Sequence, residues 1–298
     1  MNLNSCDICP RLCKISRYDE VGYCGAGAAV KVAQVMLHKW EEPCISGQNG
    51  AGAIFFSHCN LRCVFCQNYP ISHKGKGVEI TTEKLGKIFL RLQKEGASTI
   101  DLVTPTHFAP QIMKALKFAK DSGLTIPVVY NSSGYERVET IEKLSGFIDV
   151  YMPDFKYFSN EFAAKYSMSK NYVETAKEAI LAMYKQVEKF ITKDGVMQKG
   201  LLLRHLVLPG LRHDSMKFLD WAWENFGDDI ILSLMRQYTP QNGAEGNLAR
   251  KLTTFEYESV VDYAVSLGFT NAYTQEKTAA SKEFIPSFDA ADCKFLFD

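Results

Sequence analysis

The chain has no apolar run near the roughly 20 residues that a helix needs to cross a bilayer. Its N-terminus, MNLNSCDICPRLCK, has no apolar core of the kind a secretory signal carries. These two absences argue against a membrane or exported protein and for the cytoplasm. Net charge is absent too: 34 Lys and Arg balance 34 Asp and Glu over 298 residues. Without a basic excess there is no general electrostatic pull on nucleic acid or anionic lipid. Internal repeats and low-complexity stretches are missing, so a repeat architecture is not expected.

What is present is an ordinary globular balance, 46% hydrophobic and 23% charged, at a length that suits one α/β barrel without forcing two domains. The unusual figure is nine cysteines. In a chain without a secretion signal they read as metal ligands rather than disulfides.

Residues 1–50 are rich in Cys and Gly with weak periodicity. They read as a metal-binding N-terminal extension, with VKVAQVML (30–37) as a short strand inside it. Residues 51–298 read as the core. There, apolar strand-like stretches recur at AGAIFFS (51–57), STIDLVTP (98–105), IPVVYNS (126–132), GFIDVYMP (146–153), GLLLRHLVLPG (200–210), DIILSLMRQY (229–238) and FTNAYTQ (269–275). Between them lie helical faces: Leu85, Ile88, Phe89 and Leu92, closed by Gly96; Ile112, Ala115, Leu116 and Ala119; Ala176, Ile180, Met183 and Val187; and Tyr257, Val260, Val261 and Ala264, opened by a Thr253–Glu256 capping box. Repeated β–α units predict a parallel sheet with right-handed crossovers. Six or seven of them predict an α/β fold of the incomplete parallel (β/α) barrel type. Such folds work at the C-terminal ends of their strands. Those ends carry three cysteines, then TPTHF, YNSSGY, PDFKY, RHLVLPG and RQYTP.

The three cysteines, Cys59, Cys63 and Cys66, are spaced C-x3-C-x2-C. A structural zinc site wants four protein ligands. A 4Fe–4S cubane on three thiolates leaves one iron open to a small molecule, and Leu61, Val64 and Phe65 would restrict water around it. Zinc with a distant fourth ligand, or free thiols, are the alternatives.

That motif after a first barrel strand, continued as CNLRCVFCQN, with LVTPTHFAPQI, VVYNSSGYE, DVYMPDFKY, LLRHLVLPG and MRQYTP further on, resembles the radical S-adenosylmethionine (SAM) superfamily. It looks like a subgroup of the branch around pyruvate formate-lyase activating enzymes. The resemblance runs from about Cys6 to EFIPSFD. It implies a 4Fe–4S cluster on Cys59, Cys63 and Cys66 whose open iron takes the amino and carboxylate groups of S-adenosylmethionine. It further implies one-electron cleavage of the sulfonium C–S bond and hydrogen abstraction by a 5′-deoxyadenosyl radical. A reducing donor such as flavodoxin or ferredoxin follows, with a glycyl radical protein as one substrate; radical modification of another peptide or of a small molecule is the alternative. A non-catalytic iron–sulfur electron carrier is the reading of a different class, and the polar strand ends speak against it.

The same branch usually holds the methionyl amino group with a Gly-Gly-Glu motif after its second strand. Here VTPTHF stands instead, offering Thr104, Thr106 and His107, or only a shaped loop. Asn131 and Ser133 suit ribose hydroxyls or the carboxylate, because each donates and accepts. Asp154 and Lys156 match a D-x-K element of the branch, a salt bridge being the structural alternative. Arg204 has a planar fork suited to the methionyl carboxylate. His205 resembles a cofactor-contacting histidine, or is a satisfied core histidine. Gln237 and Tyr238 are candidates to face substrate or adenine, and Trp221 and Trp223 read as helix packing.

Cys6, Cys9, Cys13 and Cys24 form a second pattern, C-x2-C-x3-C-x10-C. Four thiolates suffice for structural zinc or for an auxiliary 4Fe–4S cluster, and spacing does not choose between them. So short a segment has little core of its own, which makes a metal staple useful. Cys44 and Cys293 stand apart as ordinary thiols.

Overall fold

The computed structural model describes residues 1–241, 244–280 and 288. The EFIPSFD stretch, Phe288 excepted, and Cys293 lie outside the described residues. Among those described, ten strands form one sheet: β1 (Val30–His38), β2 (Ala51–Phe56), β3 (Val78–Ile80), β4 (Ile100–Val103), β5 (Val128–Ser132), β6 (Val150–Pro153), β7 (Ile191–Lys193), β8 (Val196–Leu206), β9 (Ile231–Met235) and β10 (Ala272–Thr274). Their order is β10-β9-β8-β6-β5-β4-β2-β1-β3, with β7 paired to β8. The run from β2 through β4, β5, β6, β8 and β9 to β10 is parallel throughout. The outermost strands, β3 and β10, do not meet, so the barrel is open, as the repeated β–α units predict.

The strands are parallel because helical crossovers separate them; the crossovers cover the outer face, while Val129, Val150 and Met152 on the inner face cluster with Cys44 and Ile45. Every residue of β2, β4, β5, β6 and β9 is accordingly buried. The helices are α1 (Pro43–Ser46), α2 (Tyr69–Ser72), α3 (Thr82–Lys94), α4 (Ala109–Asp121), α5 (Val138–Lys143), α6 (Asn160–Ser167), α7 (Tyr172–Val187), α8 (Arg212–Phe226) and α9 (Thr254–Leu267). The predicted apolar faces of α3, α4 and α7 are buried in full. Each Val, Leu, Ile, Phe or Met among them contributes roughly 1.5–3 kcal/mol when it leaves water. On α9, Tyr257, Val260 and Ala264 are buried while Val261 is only partly covered, and the Thr253–Glu256 capping box forms. Trp221 packs on Phe155 and Trp223 on Phe269, so both fasten α8.

The N-terminal segment divides differently from its composition. No strand or helix precedes Val30 among the described residues. The predicted strand at 30–37 is β1, and it pairs antiparallel with β2 from His38↔Ala51 to Val32↔Phe56. Val30, Val32 and Val35 thereby join the main core, and the chain after β1 crosses the N-terminal ends of the parallel strands, where Cys44 and Ile45 join a cluster with Ala51, Val129 and Val150. No helix among the described residues is long and apolar enough to cross a membrane.

Candidate active site

A cavity of about 240 Å³ opens at the C-terminal ends of the parallel strands. Nine of the twelve site residues expected in the core line it. Cys59, Cys63 and Cys66 come from the loop after β2, Thr104 follows β4, and Asn131 and Ser133 stand at the end of β5. Asp154 and Lys156 follow β6, and Arg204 lies on β8.

The cysteine loop is held from several sides. Asn60 is fully buried and its Nδ2 donates to the Tyr135 carbonyl at 2.7 Å. The Leu61 amide donates to Cys59 Sγ at 3.4 Å. Cys63 Sγ lies 2.9 Å from Ser167 Oγ, and Cys66 Sγ lies 3.2 Å from Ser72 Oγ. Leu61 and Phe65 are buried beside the sulfurs, Phe65 edge-on to Tyr157 and Tyr238. Val64 is 46% exposed, so it does not help exclude water as expected. Its place in the loop turns it outward between two inward cysteines.

Four charged side chains form a chain across the cavity floor. Lys156 Nζ donates to Asp154 Oδ2 at 2.7 Å, and Arg204 Nε donates to Asp154 Oδ1 at 2.9 Å. Arg204 Nη1 reaches Glu41 Oε1 at 2.8 Å and Nη2 reaches Asn131 Oδ1 at 2.7 Å. Burial works against the Asp154 carboxylate, but Arg204 and Lys156 outweigh it and hold its pKa below the usual range. Burial likewise opposes the Lys156 ammonium, and Asp154 overcomes it.

A model of the radical SAM superfamily matches residues 53–207, more than half of the chain. The chain belongs to the radical SAM superfamily. An uncharacterized protein of Methanocaldococcus jannaschii is 29% identical over 272 residues, covering 87% of this chain and 74% of that one. Streptococcus suis SuiB is similar in fold at a TM-score of 0.51 and 12% identity, over 76% of this chain and 48% of that one. So is anSMEcpe with bound AdoMet, at 0.50 and 13%, over 76% and 58%. The chain spans about half the length of these solved structures.

Superfamily membership implies a 4Fe–4S cluster and S-adenosylmethionine, and the donor set fits the cluster. Burial pushes all three radical SAM thiols up, Cys66 to about 11, and neighbouring thiols add to this for Cys59 and Cys66. Such a group ionises when a metal centre neutralises it. Among the described residues, no three Cys, His, Asp or Glu side chains converge on a single ion. A cubane, whose thiolates sit on separate irons, asks for no such convergence.

Three expected cofactor contacts stand elsewhere. Thr106 Oγ1 donates to buried Glu136. His107 Nε2 pairs with the Ser57 carbonyl at 2.7 Å. His205 Nδ1 pairs with the Phe155 carbonyl at 2.6 Å and Nε2 with Ser215 Oγ at 2.8 Å, while the ring stacks on Phe218. None lines the cavity. Burial holds His107 and His205 neutral, with pKa values near about 3 and about 4. The reason at β8 is the pleat: Arg204 faces the cavity, so its neighbour faces α8. Tyr238 also turns away, donating to the Leu248 carbonyl, whereas Gln237 lines the cavity.

Arg204 lines the cavity with its Nε, Nη1 and Nη2 bonded to Asp154, Glu41 and Asn131, which leaves one further proton on each Nη. Sequence reasoning missed Glu41, which arrives from the connection after β1. It also missed Asp101, fully buried within β4, whose carboxyl is driven upward by burial and by Glu41. No spacing flags either residue.

Cys6, Cys9, Cys13 and Cys24 gather in the irregular segment ahead of β1. All but Cys13 are buried, and a Cβ at Gly22 would lie 3.5 Å from Cys13 Sγ and 3.6 Å from Cys24 Sγ. Cys44 is buried on α1, where burial pushes its thiol up to about 12.

Proposed function

We propose that this radical SAM enzyme carries its cluster on Cys59, Cys63 and Cys66, holds S-adenosylmethionine with the cavity's polar strand ends, and abstracts hydrogen from a polypeptide, a glycyl radical protein first among the candidates. The observation that carries this reading is that three thiols and a chain of two cations and two carboxylates line one cavity. When bound, cluster and S-adenosylmethionine together supply a 5′-deoxyadenosyl radical by one-electron reductive cleavage.

Lys156 has one carboxylate partner among the described residues and keeps protons to offer; together with the free Nη protons of Arg204 it would hold the methionyl carboxylate. Arg204 orients Asp154, and Asp154 orients Lys156. Thr104 lines the cavity where a Gly-Gly-Glu motif would stand and has a left-handed backbone, φ 61°. Its hydroxyl or carbonyl would accept from the methionyl amino group. Ser133, bonded to Asn60 Oδ1 at 3.5 Å, would hold ribose hydroxyls. Leu61 and Phe65 keep water from the sulfurs.

The polypeptide substrate is supported by the resemblance of the strand-end motifs to activating enzymes, and by SuiB, whose similar fold has been solved with a precursor peptide bound. In the same reading, residues 51–298 are the radical SAM core, residues 1–50 bring Glu41 and a second metal, zinc or an auxiliary cluster, and flavodoxin or ferredoxin supplies the electron. The test is anaerobic reconstitution with iron and sulfide, then dithionite and S-adenosylmethionine, measuring 5′-deoxyadenosine. The wild-type protein should form it and the Cys59→Ala/Cys63→Ala/Cys66→Ala variant should not; equal yields from both overturn the assignment. A glycyl radical signal on an added candidate protein tests the substrate. A modified peptide without that signal moves the assignment to peptide modification.

A further inference from the structure

The four N-terminal cysteines lie against the catalytic cysteine loop, and the contacts are reciprocal. Arg11, between Cys9 and Cys13, donates from Nε to the Asn60 carbonyl at 2.9 Å, and Asn60 lies between Cys59 and Cys63. In return Arg62, also between Cys59 and Cys63, donates from Nη2 at 2.7 Å to the carbonyl of Tyr23, which precedes Cys24. Arg62 Nη1 reaches the Ser72 carbonyl at 3.2 Å, and Ser72 Oγ touches Cys66 Sγ. His58, next to Cys59, fills the space beside Gly25, next to Cys24; a Cβ at Gly25 would come within 2.9 Å of its Nδ1.

Among the described residues, the stretch ahead of Val30 has no helix or strand to hold it in this position. Its amides point at sulfur: Tyr23 N donates to Cys13 Sγ at 3.3 Å and Ala26 N to Cys24 Sγ at 3.5 Å. Arg17 is 2% exposed, has an unpartnered Nε, and among the described residues has no carboxylate within ion-pair distance. A buried guanidinium without an anion is costly. Four thiolates around a dication, whether a zinc ion or an oxidised cubane core, carry two negative charges and would provide that anion.

We infer that Cys6, Cys9, Cys13 and Cys24 form a closed four-thiolate metal centre that, through Arg11, Arg62 and His58, braces the loop holding the catalytic cluster. This rests on the second metal of the reading above and adds what it does: it fixes the geometry of the Cys59–Cys66 loop.

Two measurements test it, neither of which depends on cleavage activity. The Cys59→Ala/Cys63→Ala/Cys66→Ala variant, isolated with zinc and separately reconstituted with iron and sulfide, should retain about one zinc or about four irons per chain. Zinc alone identifies a static brace, and iron identifies a cluster beside the catalytic one; neither metal in a folded variant, checked by circular dichroism, overturns the site. Arg11→Ala keeps all seven proposed cysteine ligands. It should keep the N-terminal metal while its catalytic cluster loses visible absorbance in air several-fold faster than wild type. An unchanged rate overturns the brace. Wild-type failure to cleave S-adenosylmethionine would overturn the proposed function and leave both measurements standing.

Discussion

Replacing Asp154 with Asn tests whether the charge chain is what holds the cavity floor. The substitution removes the Lys156 contact at 2.7 Å and the Arg204 contact at 2.9 Å. Arg204 keeps Glu41 and Asn131, whereas Lys156 loses its carboxylate. Breaking a buried pair by removing one partner costs about 3–5 kcal/mol. The Asn carbonyl still accepts one hydrogen bond and the cavity admits water, so about 2–3 kcal/mol is expected here. For a chain of this length that lowers Tm by about 5–8 °C, read by circular dichroism on cluster-free protein. Adding Lys156→Met removes the stranded cation and should recover at least half of the loss. The pH dependence has a definite sign. The folded-state pKa of Asp154 is depressed, so its contribution is present above the unfolded value of about 3.9 and is lost as pH falls through the folded one. The gap between wild type and variant should therefore close only in acid. A loss under about 0.5 kcal/mol, the scale of an exposed pair, or no recovery with Lys156→Met, would refute the reasoning.

Glu136 is buried and its pKa is raised to about 8, chiefly by burial. An acid with a raised folded pKa contributes stability below its unfolded value of about 4.3 that is lost as pH rises toward the folded one; Glu136→Gln should flatten the decline between about pH 4.3 and 8, and an unchanged slope in urea titrations across that range counts against it. Gly134 has φ 73°, and a Cβ there would fall 2.5 Å from the Asp154 carbonyl oxygen. Gly134→Ala should therefore cost about 2–4 kcal/mol and weaken S-adenosylmethionine binding; stability within 0.5 kcal/mol of wild type, by about the error of such fits, contradicts the clash. Thr253→Ala removes one half of the α9 capping box and should cost about 1 kcal/mol without altering metal content; a loss of iron would mean α9 bears on the site in a way its cap does not explain.

Local periodicity made much of the fold legible. Leu85, Ile88, Phe89 and Leu92 mark a helix face because 3.6-residue spacing is a property of a short window, whatever lies opposite. The strand order follows almost as directly, since helical crossovers between β2, β4, β5 and β6 leave parallel pairing as the short solution. The cysteine triad is legible for the same reason, its eight residues carrying their spacing with them. The tertiary structure alone decided what depends on distant partners. Arg204 and His205 are adjacent in one strand, and only the register of β8 sets which of them faces the cavity. Val64 looks like its neighbours Leu61 and Phe65 until the loop's path turns it to solvent. Glu41 sits in a connection with no motif, and it meets Arg204, 163 residues away, because antiparallel β1 returns the chain to the N-terminal ends of the parallel strands, beneath the cavity floor. Spacing within a segment is written in the segment; the pairing of a charge with its counter-charge is written in the topology that brings the two together.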